Sequence, residues 1–210
     1  MDKIWLKHYP PGVPHEIDVR AYASLVELYA EANARYRDLP AFSSLGATLT
    51  YAEVDRLSRD FAAYLQQHCG LAKGDRIAIM LPNVLQYPVA LFGAFRAGLT
   101  VVNCNPLYTG RELENQLKDS GAKAIVVLEN FAHTVQEVVA RTPVEHVITT
   151  EIGDLFPPLK RLLTNLVVKY GKKLVPPWRI EGAVAWHVAL AAGRGLPLDP
   201  VALTREDIAF

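Results

Sequence analysis

Cysteine is scarce in this chain, and its histidines are widely spread. Among the 210 residues only Cys69 and Cys104 are cysteines, and none of the six histidines lies four residues from another. Two cysteines are too few for the disulfide framework of a small secreted domain, so we expect a reducing, cytoplasmic environment. No spacing typical of a zinc site is present, and the sequence therefore predicts no metal ligands.

Net charge and long apolar runs are also missing. The 22 lysines and arginines balance the 22 aspartates and glutamates, so no overall field favours nucleic acid as a partner. No run approaches the ~20 consecutive apolar residues of a membrane-spanning helix. The first residues have neither the apolar core nor the small-residue cleavage site of a signal peptide. Any membrane contact is expected to be peripheral, on the inner face.

Three common active-site motifs are absent as well. The sequence contains no G-x-G-x-x-G after a strand and no G-x-x-x-x-G-K-[ST], so neither of the two usual phosphate-binding loops is present. It also lacks the G-x-S-x-G turn that exposes a nucleophilic serine. Apolar residues nevertheless make up 50% of the chain, which is typical of a globular protein with a core.

Apolar runs alternate with segments of helical spacing through the middle of the chain. Strands are predicted at residues 76–81, 99–102, 124–128 and 146–150, and helices at 21–37, 51–68, 85–97, 110–120 and 131–141. Two short extended pieces are predicted at 41–43 and 47–49. The alternation favours an α/β fold with a mainly parallel, doubly wound sheet and flanking helices. Thr50 with Glu53, and Thr109 with Glu112, have the spacing of capping boxes.

The chain divides into four parts by composition. Residues 1–20 are rich in proline and are predicted to form an extended arm. Residues 21–150 carry the α/β pattern. Residues 151–200 hold further prolines and are expected to be an insertion on the sheet that contains a basic amphipathic segment. Residues 201–210 are predicted to begin the next strand.

Two places near predicted strand ends are candidate binding positions. Asn105, Pro106 and Leu107 lie in the loop after the strand at 99–102, and His133 follows the strand at 124–128. Ligands of open α/β sheets gather at the carboxyl ends of the strands, so a substrate could touch either place. The alternatives stay open: the loop residues only shape a turn, and His133 only faces solvent in the first turn of a helix.

A basic amphipathic segment lies between Asp154 and Glu181, where the sequence has no acidic residue. Its candidate membrane-proximal residues are Lys160, Arg161, Lys169, Lys172 and Lys173, with Arg179 beyond them. Such a helix suits an anionic lipid surface. The alternative is a helix that packs its apolar face on its own protein and leaves its lysines in water.

Several stretches resemble the opening third of the adenylate-forming superfamily. They are LTYAEVDRLSRDFAAYL, GDRIAIMLPNVLQYPVALFGAFRAG and VVNCNPLYTGRELENQLKDSGAKAIVV. The segments IWLKHYPPGVPHEID, PNVLQYPVALFG, NPLYTGRELE and LVVKYGKKLVP are similar to bacterial long-chain fatty acid–CoA ligases. The resemblance covers essentially the whole chain.

This resemblance implies a two-step reaction that uses a fatty acid, ATP with Mg²⁺, and coenzyme A. In such enzymes the phosphate-binding loop follows a strand like the one that begins at Asp207, so we expect that loop and the later catalytic motifs to lie beyond this chain. No residue here is carried over as catalytic, and the 210 residues alone are expected to bind none of these ligands. Related short-chain synthetases hold coenzyme A with basic residues early in a helix, whereas residues 131–134 here contain no arginine.

Two alternatives to the fatty acid–CoA ligase remain at this point. One is another adenylate-forming enzyme, specific for amino acids or aryl acids. The other is a non-catalytic module that binds a lipid surface through the basic segment. The pattern at 204–210, which reads as the start of a strand, favours a part of a larger enzyme over an autonomous module.

Overall fold

Helices cover both faces of a five-stranded parallel sheet in this computed structural model, which describes residues 2–210. The elements in chain order are α1 (Leu25–Tyr36), β1 (Pro40–Ser44), β2 (Ala47–Thr50), α2 (Tyr51–Gln67), β3 (Arg76–Met80), α3 (Gln86–Arg96), β4 (Thr100–Asn103), α4 (Gly110–Ser120), β5 (Ala124–Leu128), α5 (Ala132–Val138), β6 (His146–Thr150), α6 (Pro158–Leu166), β7 (Val184–Ala185) and α7 (Trp186–Gly193). The strand order is β4-β3-β5-β6-β7, and each neighbouring pair is parallel. The doubly wound α/β fold predicted from the sequence is confirmed.

Strands β3 and β5 are buried on both faces, which explains their continuous apolar sequences. Side chains of a strand alternate between the faces of a sheet. Ile77 and Ile79 of β3 therefore pack with α2 and α3 in one core, which also contains α7. Ala78 and Met80 point to the opposite face and pack with α4 and α5. The alternation continues in β5, so one sheet separates two apolar layers.

The helix caps follow the spacing seen in the sequence. The Thr50 hydroxyl accepts a hydrogen bond from the Glu53 backbone N–H, and the Glu53 carboxylate accepts one from the Thr50 N–H at 2.8 Å. Thr109 and Glu112 make the same reciprocal pair at the start of α4. Both predicted capping boxes are therefore confirmed. Gly121 ends α4 in the left-handed conformation, at φ 63°, which glycine adopts without a steric cost.

The N-terminal region departs from its prediction in two details. Residues 4–8, within the expected extended arm, form a 3-10 helix with no buried side chain. Helix α1 begins at Leu25 rather than at residue 21, because the Ser24 side chain caps it by accepting a hydrogen bond from the Glu27 N–H at 3.2 Å.

The helix predicted at 131–141 is shorter in the structure. Helix α5 is flanked by 3-10 turns at Glu129–Phe131 and Val139–Arg141.

Part of the segment expected as an insertion belongs to the main sheet. Strand β7 pairs in parallel with β6, and α7 after it packs against α2. The Trp186 side chain is fully buried and lies 4.7 Å from the Phe61 ring, centroid to centroid. A two-residue strand is too short to show any periodicity, so sequence reasoning could not find it.

The C-terminal residues lie along the free edge of β4. The Val101 backbone N–H donates to the Ala209 carbonyl oxygen at 2.9 Å, and the Thr100 hydroxyl donates to the Ile208 carbonyl at 2.9 Å. The Lys73 ammonium forms an ion pair with the Asp207 carboxylate at 2.8 Å. No regular strand is formed within residues 204–210. The backbone nevertheless runs where a further strand of the sheet would pair.

The contact between α7 and α2 gives a stability prediction. A Cβ atom added at Gly193 would overlap the Asp60 carbonyl oxygen and lie 3.0 Å from the Tyr64 backbone nitrogen. Because backbone cannot give way as a flexible side chain can, Gly193→Ala should lower the free energy of unfolding by at least about 2 kcal/mol. Urea denaturation followed by circular dichroism measures the change.

A matched control is Gly171→Ala, where the added Cβ would meet nothing closer than Val167 at 3.8 Å. That variant should unfold close to the wild-type midpoint. Equal midpoints for Gly193→Ala and the wild type would contradict the close approach of α7 to α2.

Candidate functional site

The carboxyl ends of β3, β4, β5 and β6 meet at one edge of the sheet, because these strands are parallel. The loops that follow them begin at Leu81, Cys104, Glu129 and Glu151. Strand β4 pairs with one side of β3, and the next strand in the chain, β5, pairs with the other side. The topological switch point of the sheet therefore lies between the carboxyl ends of β3 and β5. Open α/β sheets bind ligands at this place.

The loop after β4 is held in a defined turn. The Asn105 side-chain oxygen accepts a hydrogen bond from the Leu107 N–H at 3.0 Å, and the Asn105 carbonyl accepts one from the Tyr108 N–H at 3.0 Å. Pro106 is half-buried, whereas Leu107 is 79% exposed. Asn105 therefore shapes the turn with its own side chain, and Leu107 is left at the tip, free to meet another molecule.

Neighbouring side chains tie the end of β4 to both of the adjoining helices. The Tyr87 hydroxyl of α3 donates to the Asn103 side-chain oxygen at 2.9 Å. The Gln116 amide of α4 donates to the Asn103 carbonyl at 3.0 Å. The loop thus starts from a position fixed on both sides of the sheet.

His133 lies in the first turn of α5, half-buried beside Thr134. Its Nε2 atom is 3.4 Å from the Thr134 hydroxyl, and its Nδ1 atom is buried with no hydrogen-bond partner among residues 2–210. In the described part of the chain no hydrogen bond joins His133 to Asn105, Pro106 or Leu107. The structure thus places the candidates in loops or turns after two strands, but it does not join them into one cluster.

A group of carboxylates occupies the same edge after β5 and β6. Glu129 and Glu151 each follow a strand directly, and the Asp154 side chain is only 3% exposed. Asp154 accepts hydrogen bonds from the Thr150 hydroxyl and the Glu151 N–H, both at 3.0 Å. Burial raises the pKa of the Glu151 carboxyl, and the negative charges of Glu129 and Asp154 raise it further, against the lowering effect of Lys169 and Arg161.

The partners of these carboxylates come from the basic amphipathic segment. The Lys169 ammonium lies 3.1 Å from Glu129 and 3.9 Å from Glu151, and the Arg161 guanidinium lies 3.5 Å from Asp154. Burial lowers the pKa of Lys169, but its hydrogen bond to Glu129 and the two nearby carboxylates together raise it. The segment is therefore attached to the sheet edge through its charged side chains.

This arrangement separates the five candidate membrane-proximal residues into two groups. Lys160 donates to the Leu45 carbonyl at 2.6 Å, and Arg161 and Lys169 make the ion pairs just described. Lys172 and Lys173 are exposed, and no ion pair between described residues includes them. The membrane assignment stays a prediction, and it depends on Lys172 and Lys173.

Sequence reasoning did not find the carboxylate group or its link to α3. The side-chain amide of Gln86 in α3 is fully buried and donates to the Glu151 carbonyl at 2.7 Å and to the Thr150 hydroxyl at 3.1 Å. An acidic residue directly after each of two apolar strands, as in AIVVLE and VITTE, was the available signal. It points to the edge of the sheet but does not reveal which cations lie opposite.

Two of the cavities formed by the described residues lie in different parts of the fold. One of about 520 Å³ lies beside the carboxylate group, between Glu151 and the side chains of Arg161, Asn165 and Lys169. A larger one of about 720 Å³ lies at the amino end of β4, between α1 and residues 203–209. Within residues 2–210 no group of three histidine, cysteine, aspartate or glutamate side chains could hold a metal ion.

A sheet of this topology with polar loops at its carboxyl edge is typical of nucleotide-dependent α/β enzymes. A sequence profile described as "AMP-binding enzyme" matches residues 29–210. The chain belongs to this family of AMP-binding enzymes.

Within the family, the chain is similar to curated bacterial proteins named long-chain-fatty-acid–CoA ligase. The protein of that name from Yersinia pestis is 52% identical over 210 residues, which are 100% of this chain and 37% of the relative. The protein from Bacillus subtilis is 35% identical over 167 residues, which are 80% of this chain and 30% of the relative. The chain thus spans about a third of the length of these curated relatives.

A solved structure of a long-chain-fatty-acid–CoA ligase from Archaeoglobus fulgidus shares the fold. It superposes with a TM-score of 0.65 at 20% identity, over 88% of this chain and 33% of that one. At this identity the likeness supports the fold alone.

The raised pKa of Glu151 gives a pH-dependent prediction. The folded protein holds the Glu151 proton more tightly than the unfolded chain does, so ionisation of this carboxyl lowers stability as pH rises above the usual glutamate range. Glu151→Gln removes that charge and can still accept the hydrogen bond from Asn165. Its urea midpoint should exceed that of the wild type near about pH 7 and lose the advantage below about pH 4.

The control is Glu31→Gln, which changes an exposed carboxylate on α1 by the same charge. It should show no comparable gain. A lower midpoint for Glu151→Gln than for the wild type at neutral pH would mean that the attraction to Lys169 outweighs burial, contrary to the prediction.

Proposed function

We propose that this chain is the N-terminal part of an AMP-forming long-chain fatty acid–CoA ligase. The observation that carries the proposal is the 52% identity over all 210 residues to proteins curated under that name. The match includes the proline-rich start, and so extends beyond the 29–210 region that matches the family as a whole. This favours the fatty acid branch over amino-acid or aryl-acid adenylation.

The proposed reaction has two transfers. A carboxylate oxygen of the fatty acid attacks the α-phosphorus of ATP, and pyrophosphate leaves to give the acyl adenylate. The thiol of coenzyme A then attacks the acyl carbonyl carbon, and AMP leaves with the bonding electrons to give the thioester. When bound with ATP, Mg²⁺ would offset phosphate charge. The partners are thus small molecules, with no role for nucleic acid.

This chain would supply scaffold and edge loops to that reaction rather than a reacting group. The sheet fixes the ends of β4 and β5, and with them Asn105, Pro106, Leu107 and His133. We assign these four residues to the neighbourhood of the substrate or of coenzyme A. The buried, unpartnered Nδ1 atom of His133 supports the assignment, since a buried polar atom without a hydrogen bond is unusual in a folded protein.

Peripheral contact with the inner face of a membrane is part of the same proposal, for an otherwise cytoplasmic enzyme. No described helix combines the length and the apolar character needed to cross a bilayer. The exposed Lys172 and Lys173 support a contact at the surface, because each lysine near an anionic leaflet is attracted to it.

The proposed function predicts different activities for the complete gene product and for residues 1–210 alone. With octanoate, palmitate or oleate, the complete protein should catalyse ATP–pyrophosphate exchange and, with coenzyme A, thioester formation. The isolated 210 residues should stay at background in both assays, because in the enzymes that this chain resembles the phosphate-binding loop follows a strand like the one that begins at Asp207. Radiolabelled pyrophosphate and chromatography of the thioesters provide the measurements.

Benzoate and 4-coumarate serve as control acids in the same assays. A complete protein that prefers either of them to every fatty acid would contradict the fatty acid branch. Thioester formation by residues 1–210 alone would contradict the assignment of the chemistry to the remainder of the protein.

The assignment of His133 predicts a selective defect in the second transfer. In the complete protein, His133→Ala should raise the KM for coenzyme A several-fold and leave ATP–pyrophosphate exchange unchanged, because the first transfer does not use coenzyme A. His187→Ala, an exposed histidine on α7, is the matched control and should alter neither quantity. Equal losses in both transfers would indicate a general structural role for His133 instead.

A further inference from the structure

An unusual apolar surface lies on α6 and on the π-helical turn Val167–Gly171 that continues it. Six apolar side chains there, and Leu174 just after the turn, are 45% to 71% exposed, and we call them together the leucine ridge: Leu159, Leu162, Leu163, Leu166, Val167, Tyr170 and Leu174. Counted from Leu159, the other five helical side chains lie at i+3, i+4, i+7, i+8 and i+11, so these six share one face of the helix. Soluble proteins seldom expose a continuous apolar surface of this kind without a binding function.

The segment is turned the opposite way from an ordinary surface helix. Its polar side chains face the protein: Lys160 donates to the Leu45 carbonyl, Arg161 pairs with Asp154, and Asn165 hydrogen-bonds both to Glu151 and to the Gly153 N–H. The leucine ridge is left facing outward. The sequence left open that the apolar face packs on the protein itself. In the structure the polar face packs on the protein instead.

Positive charge is the other property of this surface. Lys172 and Lys173 are exposed directly after the π-helical turn, and none of the ion pairs found in the described residues includes them. The sequence from 155 to 180 contains no acidic residue. An outward apolar face with cations at its margin is complementary to a bilayer that carries anionic headgroups.

We infer that the leucine ridge is the membrane-docking surface and that it lies flat in the headgroup region of an anionic bilayer. The leucines enter the boundary between headgroups and acyl chains, while Lys172 and Lys173 meet the phosphates. A second copy of the chain is a poorer occupant, because the same cations would then face each other across the interface. The inference rests on the membrane contact in the proposed function but not on the ligase reaction.

Docking by the ridge would also orient the candidate site. The segment is joined to the loop after β5 by the Asn130 amide, which donates to the Leu174 carbonyl at 2.9 Å, and by the pair of Lys169 and Glu129. It is joined to the loop after β6 through Asn165 and Glu151. A bilayer that holds the ridge therefore lies close to the carboxyl edge of the sheet, where a fatty acid leaving the lipid would arrive.

The test is co-sedimentation of the complete gene product with phosphatidylcholine vesicles, with or without phosphatidylglycerol. Leu162→Glu combined with Leu166→Glu should weaken binding to the anionic vesicles by at least tenfold. The matched control combines Leu39→Glu with Val188→Glu, two apolar side chains that are 54% and 47% exposed elsewhere on the surface. It adds the same charge and should bind within twofold of the wild type.

A second variant removes only charge. Lys172→Glu combined with Lys173→Glu alters side chains with no ion-pair partner in the described residues, so it should fold normally and lose binding to anionic vesicles but not the weaker binding to neutral ones. Wild-type protein that binds neither kind of vesicle at low salt would overturn the inference. So would a ridge variant that binds as well as its control, or a wild-type dimer that the ridge variant abolishes without any vesicle binding. Thioester formation measured in detergent would still report separately on the proposed reaction.

Discussion

Burial of β3 and β5 on both faces is the constraint on which the rest of the structure depends. Their side chains alternate between two apolar cores, so neither strand has room for a polar residue except at its ends. Polar groups are therefore pushed into the loops at the carboxyl edge. Because the strands are parallel, these loops converge, and charged residues far apart in sequence become neighbours. The candidate site is a consequence of how the sheet is buried.

The carboxylates at that edge need cations, and the chain supplies them from one helical segment. Asp154 is almost completely buried and Glu151 is partly so, and a buried negative charge without a partner is costly. Arg161 and Lys169 lie opposite them. Turning these cations inward forces the other side of the same helix outward, and that side is apolar. The exposed leucine ridge and the neutralised sheet edge thus have one physical cause.

The family relationship indicates that this chain corresponds to part of a longer enzyme. It belongs to the AMP-binding enzymes, and it corresponds to 37% of the length of the similar Yersinia pestis protein. The chain consists of a parallel sheet, the helices that cover it and the loops at its carboxyl edge. Residues 208 and 209 already hydrogen-bond along the free edge of β4. In the proposed enzyme, the remaining protein would complete the site at which these loops are aimed.

The sequence by itself determined the α/β class, four of the five sheet strands and both capping boxes, because strand alternation and helix caps act between residues only a few positions apart. It also indicated an amphipathic segment with lysines. Only the tertiary structure decided which way that segment faces, that β7 joins the sheet, and that Lys169 meets Glu129. Those outcomes depend on contacts between distant residues, such as Lys160 and Leu45, 115 positions apart, and Lys169 and Glu129, 40 positions apart. Such contacts are set by the packing of whole elements on the sheet, which local sequence pattern does not encode.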